Sequence, residues 1–172
     1  IVPVVTNKQA PRVPRIQNGG VYLITGGTGG LGLLLARHLV SAHAASVALL
    51  SRGNDQKLPA DLDGHALVVK ADVTDEAAMV DAIAYIRRHF GRLDGVIHAA
   101  GAVADAPIGI KSLEEAQRIL APKVSGGRIL NRLLPPGSID LFAVFSSTST
   151  LLGPPGQIDY VAVRDAETLK DW

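Results

Sequence analysis

The sequence predicts a three-layer α/β/α fold with a doubly wound parallel sheet. Short apolar runs rich in β-branched residues alternate with longer runs of helix-forming residues, which is typical of strands joined by helical crossovers. Such crossovers are right-handed and make the strands parallel. Because a glycine-rich turn follows the first apolar run, at residues 26–32, we expect the strand order 3-2-1-4-5.

The composition predicts a single globular domain and argues against proteins that bind nucleic acid or span a membrane. The 172 residues are 47% hydrophobic and 19% charged, which suits one domain with a buried core. A net charge of +1 provides no basic surface for nucleic acid. No apolar run is long enough to cross a bilayer, and the first residues do not resemble a signal peptide, so we expect no membrane association.

The numbers and positions of cysteine and histidine indicate whether disulfides or a metal site can form and in which compartment the protein works. The sequence has no cysteine, which excludes disulfides and thiolate zinc sites. Its five histidines are scattered without ligand spacing, so no metal site is predicted. The lack of disulfides and of an export signal favours the cytoplasm.

The first eighteen residues differ in character from the rest. Pro3, Pro11 and Pro14 stand among mixed polar residues there, as in extended linkers. We therefore predict that residues 1–18 form a linker from an upstream domain and that residues 19–172 form the globular domain.

The first crossover carries the strongest motif. A strand is predicted over 21–25 and a helix from Gly30 to His43, with the glycine turn between them. Glycines let a backbone turn tightly and approach a ligand closely, and a helix start attracts phosphate. The strand–turn–helix context therefore predicts a pyrophosphate site. Its candidate residues are Thr25, Gly26, Gly27, Thr28, Gly29, Gly30, Leu31 and Gly32.

The second strand end indicates which dinucleotide binds. The strand, 47–50, is followed by Ser51 and Arg52. In dinucleotide-binding folds this point meets the adenosine ribose, where an acid would bind the 2′-hydroxyl of NAD. The guanidinium of Arg52 can instead pair with a 2′-phosphate, which favours NADP; a solvated surface arginine is the alternative.

The third strand, 65–71, leads into an acidic segment. Asp72 and Val73 come directly after it, at the edge where open α/β sheets bind ligands. Asp72 is therefore a candidate acceptor for an adenine amino group, with a bare loop aspartate as the alternative. Thr74 is the predicted N-cap of a helix that runs to about Phe90.

Small residues follow the fourth strand, 93–98. Ala99, Ala100 and Gly101 come directly after it, and their size suits a nicotinamide ribose that passes close to the backbone. His98 ends the strand. A lone histidine of this kind is more typical of a structural role than of catalysis.

A long helical region precedes the fifth strand. Ser112 and Glu115 are spaced as a capping box, which predicts a helix start. Pro122 is expected to break or restart this helix, because proline lacks the amide hydrogen that a helix interior uses. The fifth strand is predicted over 139–145, and a segment rich in serine and threonine follows it.

Three polar side chains are candidates for the chemistry of carbonyl reduction: Lys123, Ser147 and Tyr160. A nicotinamide enzyme that reduces a ketone needs a proton donor beside the carbonyl oxygen. A phenol can serve when a nearby ammonium lowers its pKa, and a serine hydroxyl can hold the carbonyl oxygen. Each residue alone also fits an ordinary structural or surface role, and their order along the chain favours the site.

The chain resembles the short-chain dehydrogenase/reductases and is most similar to the ketoreductase domains of modular polyketide synthases. The resemblance extends from Gly19 to about Ala162, and the matching segments occur in the family's order. They are Thr25–Gly32, Ser51–Arg52, Ala71–Val73, His98–Gly101, Pro122–Val124, Phe145–Ser147 and Gln157–Tyr160.

The resemblance implies a Rossmann-like fold with NADPH as cofactor, and it makes these the cofactor-binding residues: Thr25–Gly32, Ser51, Arg52, Asp72, Val73 and His98–Gly101. It implies reduction of a β-ketoacyl thioester on an acyl carrier protein, beside neighbouring polyketide synthase domains. It makes Tyr160 the proton donor, Ser147 its carbonyl-binding partner and Lys123 the supporting lysine. Residues 19–172 are then expected to be an NADP-binding ketoreductase domain.

Arg164 departs from the family's pattern. It lies four residues after Tyr160, where other members of the superfamily have lysine and ketoreductase domains usually have asparagine. Three interpretations stay open: the arginine takes part of the lysine's role, it blocks the proton relay, or the sequence beyond about Val163 is not the native continuation. The family's two further strands and lid are missing after this point, so a C-terminal truncation is expected.

The stereochemical marker is only partly present. Val103–Asp105 occupies the place of the family's leucine–aspartate–aspartate segment, and only Asp105 matches. The surroundings of Ile110 and Lys111 resemble family members from synthases without built-in acyltransferases. We therefore expect the B-type alcohol.

Two other functions remain as alternatives. The first is a degenerate or truncated ketoreductase that acts as a non-catalytic structural module, which Arg164 favours. The second is a stand-alone short-chain reductase of a small ketone, against which the proline-containing segment 1–18 counts.

Overall fold

The computed structural model describes residues 16–53, 58–101, 105–107, 109–147, 152 and 155–156. Its strands are β1 (Val21–Thr25), β2 (Ser46–Ser51), β3 (Ala66–Lys70), β4 (Gly95–His98) and β5 (Leu141–Val144). Its α-helices are α1 (Gly30–His43), α2 (Glu76–Phe90) and α3 (Leu113–Leu133), and a 3₁₀ turn covers Ala60–Leu62. The predicted linker lies outside the described residues except for its last three positions, 16–18.

The five strands form one parallel sheet in the order β3-β2-β1-β4-β5. This order confirms the predicted fold class. The chain moves outward from β1 to β3 on one side of the sheet and then returns to place β4 and β5 on the other side. Such a reversal leaves a crevice at the carboxyl end of β1, which is where sheets of this kind bind ligands.

The side chains of β1 are divided between two apolar cores. Val21 and Leu23 belong to the cluster packed under α2 and α3, whereas Tyr22 and Ile24 belong to the cluster under α1. Successive side chains of a strand point to opposite faces of the sheet, and every residue of β1 is buried. Both faces of the sheet are therefore covered by helices, which is the three-layer arrangement.

Helix α3 runs without interruption through Pro122, so the predicted break is wrong. The predicted capping box is confirmed: Ser112 Oγ accepts a hydrogen bond from the Glu115 amide at 3.1 Å, and a Glu115 carboxylate oxygen accepts one from the Ser112 amide at 3.2 Å. Packing holds the helix together across the proline, because Ile119 before it and Leu130 after it are both buried.

Helix α2 is capped by Asp75 rather than by Thr74, so that prediction is also wrong. Asp75 Oδ1 accepts a hydrogen bond from the Ala78 amide at 3.1 Å. Thr74 is engaged elsewhere, because its amide and its hydroxyl both donate to Asp72 Oδ1, at 2.9 and 2.7 Å. The acidic side chain at the end of β3 thereby orders the turn that leads into α2.

Candidate active site

A cavity of about 500 Å³ lies at the carboxyl edge of the sheet. It is bordered by the glycine turn, the start of α1 and the residues that follow β2, β3 and β4. Its lining consists of Gly26, Thr28–Gly32, Leu50–Gly53, Ala71–Val73, Ala99–Gly101 and Pro122. Leu50, Gly53, Ala71 and Pro122 also line the cavity, although they were not among the predicted cofactor residues. For the first three, the available signal was their position at a strand end; for Pro122, no local pattern places it there.

Three predicted cofactor residues lie beneath the cavity rather than in its lining. Thr25 and His98 are completely buried, and the Gly27 amide donates to the Leu50 carbonyl at 3.1 Å. All other predicted cofactor residues line the cavity. Thr25, Gly27 and His98 therefore shape the floor of the site.

The glycines of the turn serve different purposes. Gly26 has a φ of +68°, which side chains disfavour. A Cβ at Gly32 would lie 2.5 Å from the Gly26 carbonyl oxygen, and a Cβ at Gly27 would lie 2.7 Å from the Ile24 carbonyl oxygen. A Cβ at Gly30 would meet no protein atom within 4 Å. Close backbone packing thus requires glycine at the first three positions, whereas Gly30 leaves room on the cavity side.

The start of α1 is open to an anion. Its N-cap is Gly29, which makes no side-chain cap, and its first turn contains no acidic residue. Amide groups at a helix start lack partners within the helix and carry the positive end of the helix dipole. Because Gly29, Gly30 and Leu31 line the cavity, this helix start fits a phosphate group bound there.

Asp72 and Arg52 face each other at the far side of the cavity. Arg52 Nη1 lies 4.0 Å from Asp72 Oδ2, and the arginine side chain is 67% exposed. Partial burial acts to raise the pKa of Asp72, but the two hydrogen bonds from Thr74 and the charge of Arg52 outweigh it, so the pKa lies below its usual value. Asp72 is therefore an ionised acceptor, and the long ion pair leaves the guanidinium accessible.

A buried chain of hydrogen bonds centred on His98 connects three segments. The register of β1 and β4 aligns Thr25 with His98, and Thr25 Oγ1 lies 2.6 Å from His98 Nδ1. His98 Nε2 lies 3.0 Å from the Pro122 carbonyl oxygen. The Ala100 amide donates to Thr25 Oγ1 at 3.1 Å. The sheet, the turn after β4 and the middle of α3 are thus held together by one imidazole.

The partners of His98 determine its tautomer. A carbonyl oxygen can only accept, so Nε2 carries the hydrogen and donates to Pro122, while Nδ1 accepts from the Thr25 hydroxyl. Burial, followed by the positive charge of Lys123, lowers the pKa of His98 to about 4, against the smaller opposing effect of the Pro122 bond. At neutral pH His98 is therefore an uncharged structural group.

Lys123 brings a cation to the end of β5. Its ammonium donates to the Phe145 carbonyl oxygen at 3.4 Å, and a Cβ at Gly101 would lie 3.3 Å from its Cε. Ser147, which is half-buried, follows Phe145 by two residues. The structure thus brings Lys123 to the strand end that precedes Ser147 and to the cavity wall at Gly101.

Several predicted features lie outside the described residues. They are Tyr160, Arg164, Val103 and Ala104. Within the described ranges, no three histidine or acidic side chains are grouped as a metal site would require. None of the helices in these ranges combines the length and apolar character of a bilayer-spanning segment.

Comparison with known families bears out the resemblance. A model of the KR domain family matches residues 20–167. The chain belongs to the KR domain family. This KR domain is 42% identical over 157 residues to polyketide synthase PksM of Bacillus subtilis (strain 168), a match that covers 87% of the chain but only 4% of PksM.

Solved structures agree with this assignment. An N-terminal ketoreductase from the macrolactin assembly line superposes on the KR domain with a TM-score of 0.76 at 40% identity, covering 86% of this chain and 32% of that one. A 3-ketoacyl-(acyl-carrier-protein) reductase from Brucella melitensis, complexed with NADH, superposes with a TM-score of 0.78 at 25% identity. That match covers 87% of this chain and 65% of that one.

Substituting the turn glycines separates tight packing from open space. We expect Gly32→Ala to destabilise the protein by roughly 2 kcal/mol, because its Cβ would be forced against the Gly26 carbonyl oxygen. Gly30→Ala is the matched control and should stay within about 0.5 kcal/mol of the unsubstituted protein. Urea unfolding measures both, and equal stabilities of the two variants would contradict the packing argument.

The buried His98 predicts a specific acid sensitivity. Its pKa of about 4 in the folded state lies below the ordinary 6.5, so the unfolded chain binds the proton more readily and stability falls as pH drops below 6.5. Between pH 7.5 and 5 the protein should lose about 2 kcal/mol more than His98→Gln, which keeps a donor and an acceptor but does not titrate.

Urea unfolding at a series of pH values checks this difference. His65→Gln is the control, because His65 is exposed, and it should follow the unsubstituted protein. If His98→Gln lost stability in parallel with the unsubstituted protein, His98 would not be held neutral by the fold.

Proposed function

We propose that this KR domain reduces a β-ketoacyl thioester on an acyl carrier protein to the β-hydroxyacyl thioester, with NADPH, in polyketide biosynthesis. The observation that carries the proposal is the position of Lys123. Its ammonium reaches the end of β5, and its stem passes beside Gly101. Gly101 lines the cavity together with the glycine turn and the open start of α1. This arrangement supports a dinucleotide site and a cation for proton transfer at one edge of the sheet.

The residues that line the cavity fit the parts of NADPH. The glycine turn and the amide groups at the start of α1 suit the pyrophosphate, and the accessible guanidinium of Arg52 suits the 2′-phosphate. Asp72, an ionised acceptor, suits the adenine amino group, and the small residues 99–101 leave space for the nicotinamide ribose. NADPH supplies, when bound, the hydride that reduces the β-carbon.

Two side chains act on the carbonyl oxygen of the substrate, and a third supports the proton donor. Tyr160 gives it the phenolic proton, and Ser147 holds it by a hydrogen bond from its hydroxyl. The ammonium of Lys123 stabilises the phenolate that remains. In support, Lys123 lies at the strand end that leads to Ser147, and His98 fixes the helix turn that carries it through the bond to Pro122.

The carrier and neighbouring domains are the proposed partners. PksM is a polyketide synthase of which the chain matches only 4%, so the relatives place a domain of this size within a far longer protein. We infer that residues 19–172 work as the ketoreductase domain of such a synthase, that residues 1–18 link it to the preceding domain, and that a carrier domain delivers the thioester.

A non-catalytic structural module is the second candidate. Arg164 favours it, because this position holds neither the lysine nor the asparagine expected after the tyrosine. NADPH fluorescence and thioester turnover distinguish the two functions. Binding with turnover supports the reductase, binding without turnover supports the module, and lack of NADPH binding contradicts the reductase.

Arg52 provides a test of cofactor choice. Arg52→Met removes the guanidinium but keeps an apolar stem, so the dissociation constant of NADPH should rise about tenfold, as expected for one charge-assisted hydrogen bond. The dissociation constant of NADH, which lacks the 2′-phosphate, should change less than twofold. Arg87→Met, on the exposed surface of α2, is the control. If the dissociation constants of NADPH and NADH rose equally, Arg52 would not bind the 2′-phosphate.

Tyr160 provides a test of proton transfer. Tyr160→Phe removes only the phenolic hydroxyl, so thioester reduction should fall by about 10²- to 10⁴-fold, the usual contribution of a general acid. NADPH affinity should stay within twofold. Tyr85→Phe, in a partly exposed tyrosine of α2, controls for loss of a phenol elsewhere. Reduction by Tyr160→Phe within a few fold of the unsubstituted rate would assign the proton donor to another group.

A further inference from the structure

A single backbone carbonyl joins the loop before α3 to the segment after β5. The Gly156 carbonyl oxygen accepts hydrogen bonds from the Ala106 amide at 3.1 Å and from the Lys111 ammonium at 3.2 Å. Gly156 has a φ of +83°, a conformation that suits glycine alone. Donors from one loop therefore occupy both lone pairs of this carbonyl. We call this pair of bonds the Gly156 tether.

The backbone of Lys111 is held in place by the start of α3. It directly precedes Ser112, whose capping box with Glu115 closes the start of α3, and its side chain is half-buried. A hydrogen bond from an ammonium is stronger than one from a neutral amide. The lysine therefore contributes the stronger of the two bonds in the Gly156 tether, from a backbone position that the helix start has already ordered.

The tether is connected through the chain to two of the proposed reacting groups. Gly156 precedes Tyr160 by four residues, so the two Cα atoms are at most about 14 Å apart. Helix α3 begins two residues after Lys111 and carries Lys123 in its middle. The helix that bears the lysine of the site is thus preceded, directly before its N-cap, by the lysine that holds Gly156.

We propose that Lys111 is a positioning residue for ketone reduction. By holding the Gly156 carbonyl, it sets the point from which the chain approaches Tyr160 and so aligns the phenol with Lys123. Small errors in the placement of reacting groups have large effects on rate. The catalytic part of this inference rests on the proposed function, whereas the hold of Lys111 on the Gly156 carbonyl is a separate physical claim.

The first experiment replaces Lys111 in the full-length protein. Lys111→Met keeps the aliphatic stem and removes the donors, so kcat for the thioester should fall about tenfold while KM and the NADPH dissociation constant change less than twofold. Lys111→Arg, which restores a cationic donor, should return kcat to within about threefold of the unsubstituted value. Arg128→Met, an exposed cation of α3, is the matched control and should leave kcat unchanged.

The second experiment breaks the tether from its other side. Gly156→Ala disfavours the positive φ and brings a Cβ to 3.3 Å from the Ala106 amide nitrogen. It should lower kcat by a similar factor. Because both substitutions disturb one contact, the double variant should be no more than twofold slower than the slower single variant. If the two single-variant decreases in kcat multiplied in the double variant, the proposal would be wrong. An unchanged kcat in Lys111→Met would also overturn it.

Hydrogen exchange separates the tether from the reaction. In Lys111→Met, exchange of the Ala106 amide, which donates to the Gly156 carbonyl, should be faster than in the unsubstituted protein, and Lys111→Arg should reverse most of that change. Exchange in β1 should stay the same. Unchanged exchange of the Ala106 amide would overturn the tether whether or not the protein reduces thioesters. Faster exchange in a protein without turnover would leave the tether intact and contradict only the proposed reductase function.

Discussion

The hydrogen bond from His98 to the Pro122 carbonyl is the interaction on which the rest of the site depends. It is the point at which the sheet holds α3, and the residue after Pro122 is Lys123. The same imidazole accepts from Thr25, whose oxygen in turn accepts from the Ala100 amide. Each polar group in this buried chain has a partner, and an unpaired one would cost about 1–3 kcal/mol. The cavity wall and the lysine are therefore fixed by one satisfied network.

Much of the fold follows from the sequence because its determinants are local. Apolar runs, the glycine turn and the Ser112 capping box each act within a few residues, and they predicted the order of the five strands. The errors arose where tertiary packing or a competing neighbour decides the outcome. Packing on both sides of Pro122 keeps α3 continuous, and Asp72 takes the hydroxyl of Thr74, which leaves Asp75 as the cap. The packing around Pro122 depends on residues far along the chain, and the choice between Thr74 and Asp75 depends on side-chain geometry that the sequence does not give.

For the site as well, one part could be predicted from the sequence and another part could not. The sequence placed the cavity correctly, because carboxyl ends of parallel strands share one edge. It could not separate the residues that line the cavity from those beneath it. Thr25 and His98 end neighbouring strands and look as available as Ala99, yet the register of β1 and β4 pairs their side chains below the surface. The register of the two strands decides whether such residues can contact a ligand or only support those that do, and the sequence does not give this register.

The low pKa of His98 explains how a histidine and a lysine coexist at this edge. Two cations side by side would repel each other, and burial already penalises a charged imidazole. A neutral His98 instead donates to Pro122 and leaves the positive charge on Lys123, whose flexible stem carries the ammonium past Gly101 to the end of β5. His98 thus holds α3 in place, while Lys123 carries the positive charge. A buried, fully bonded imidazole is suited to fix a helix, whereas the half-buried Lys123 carries its charge to the end of β5.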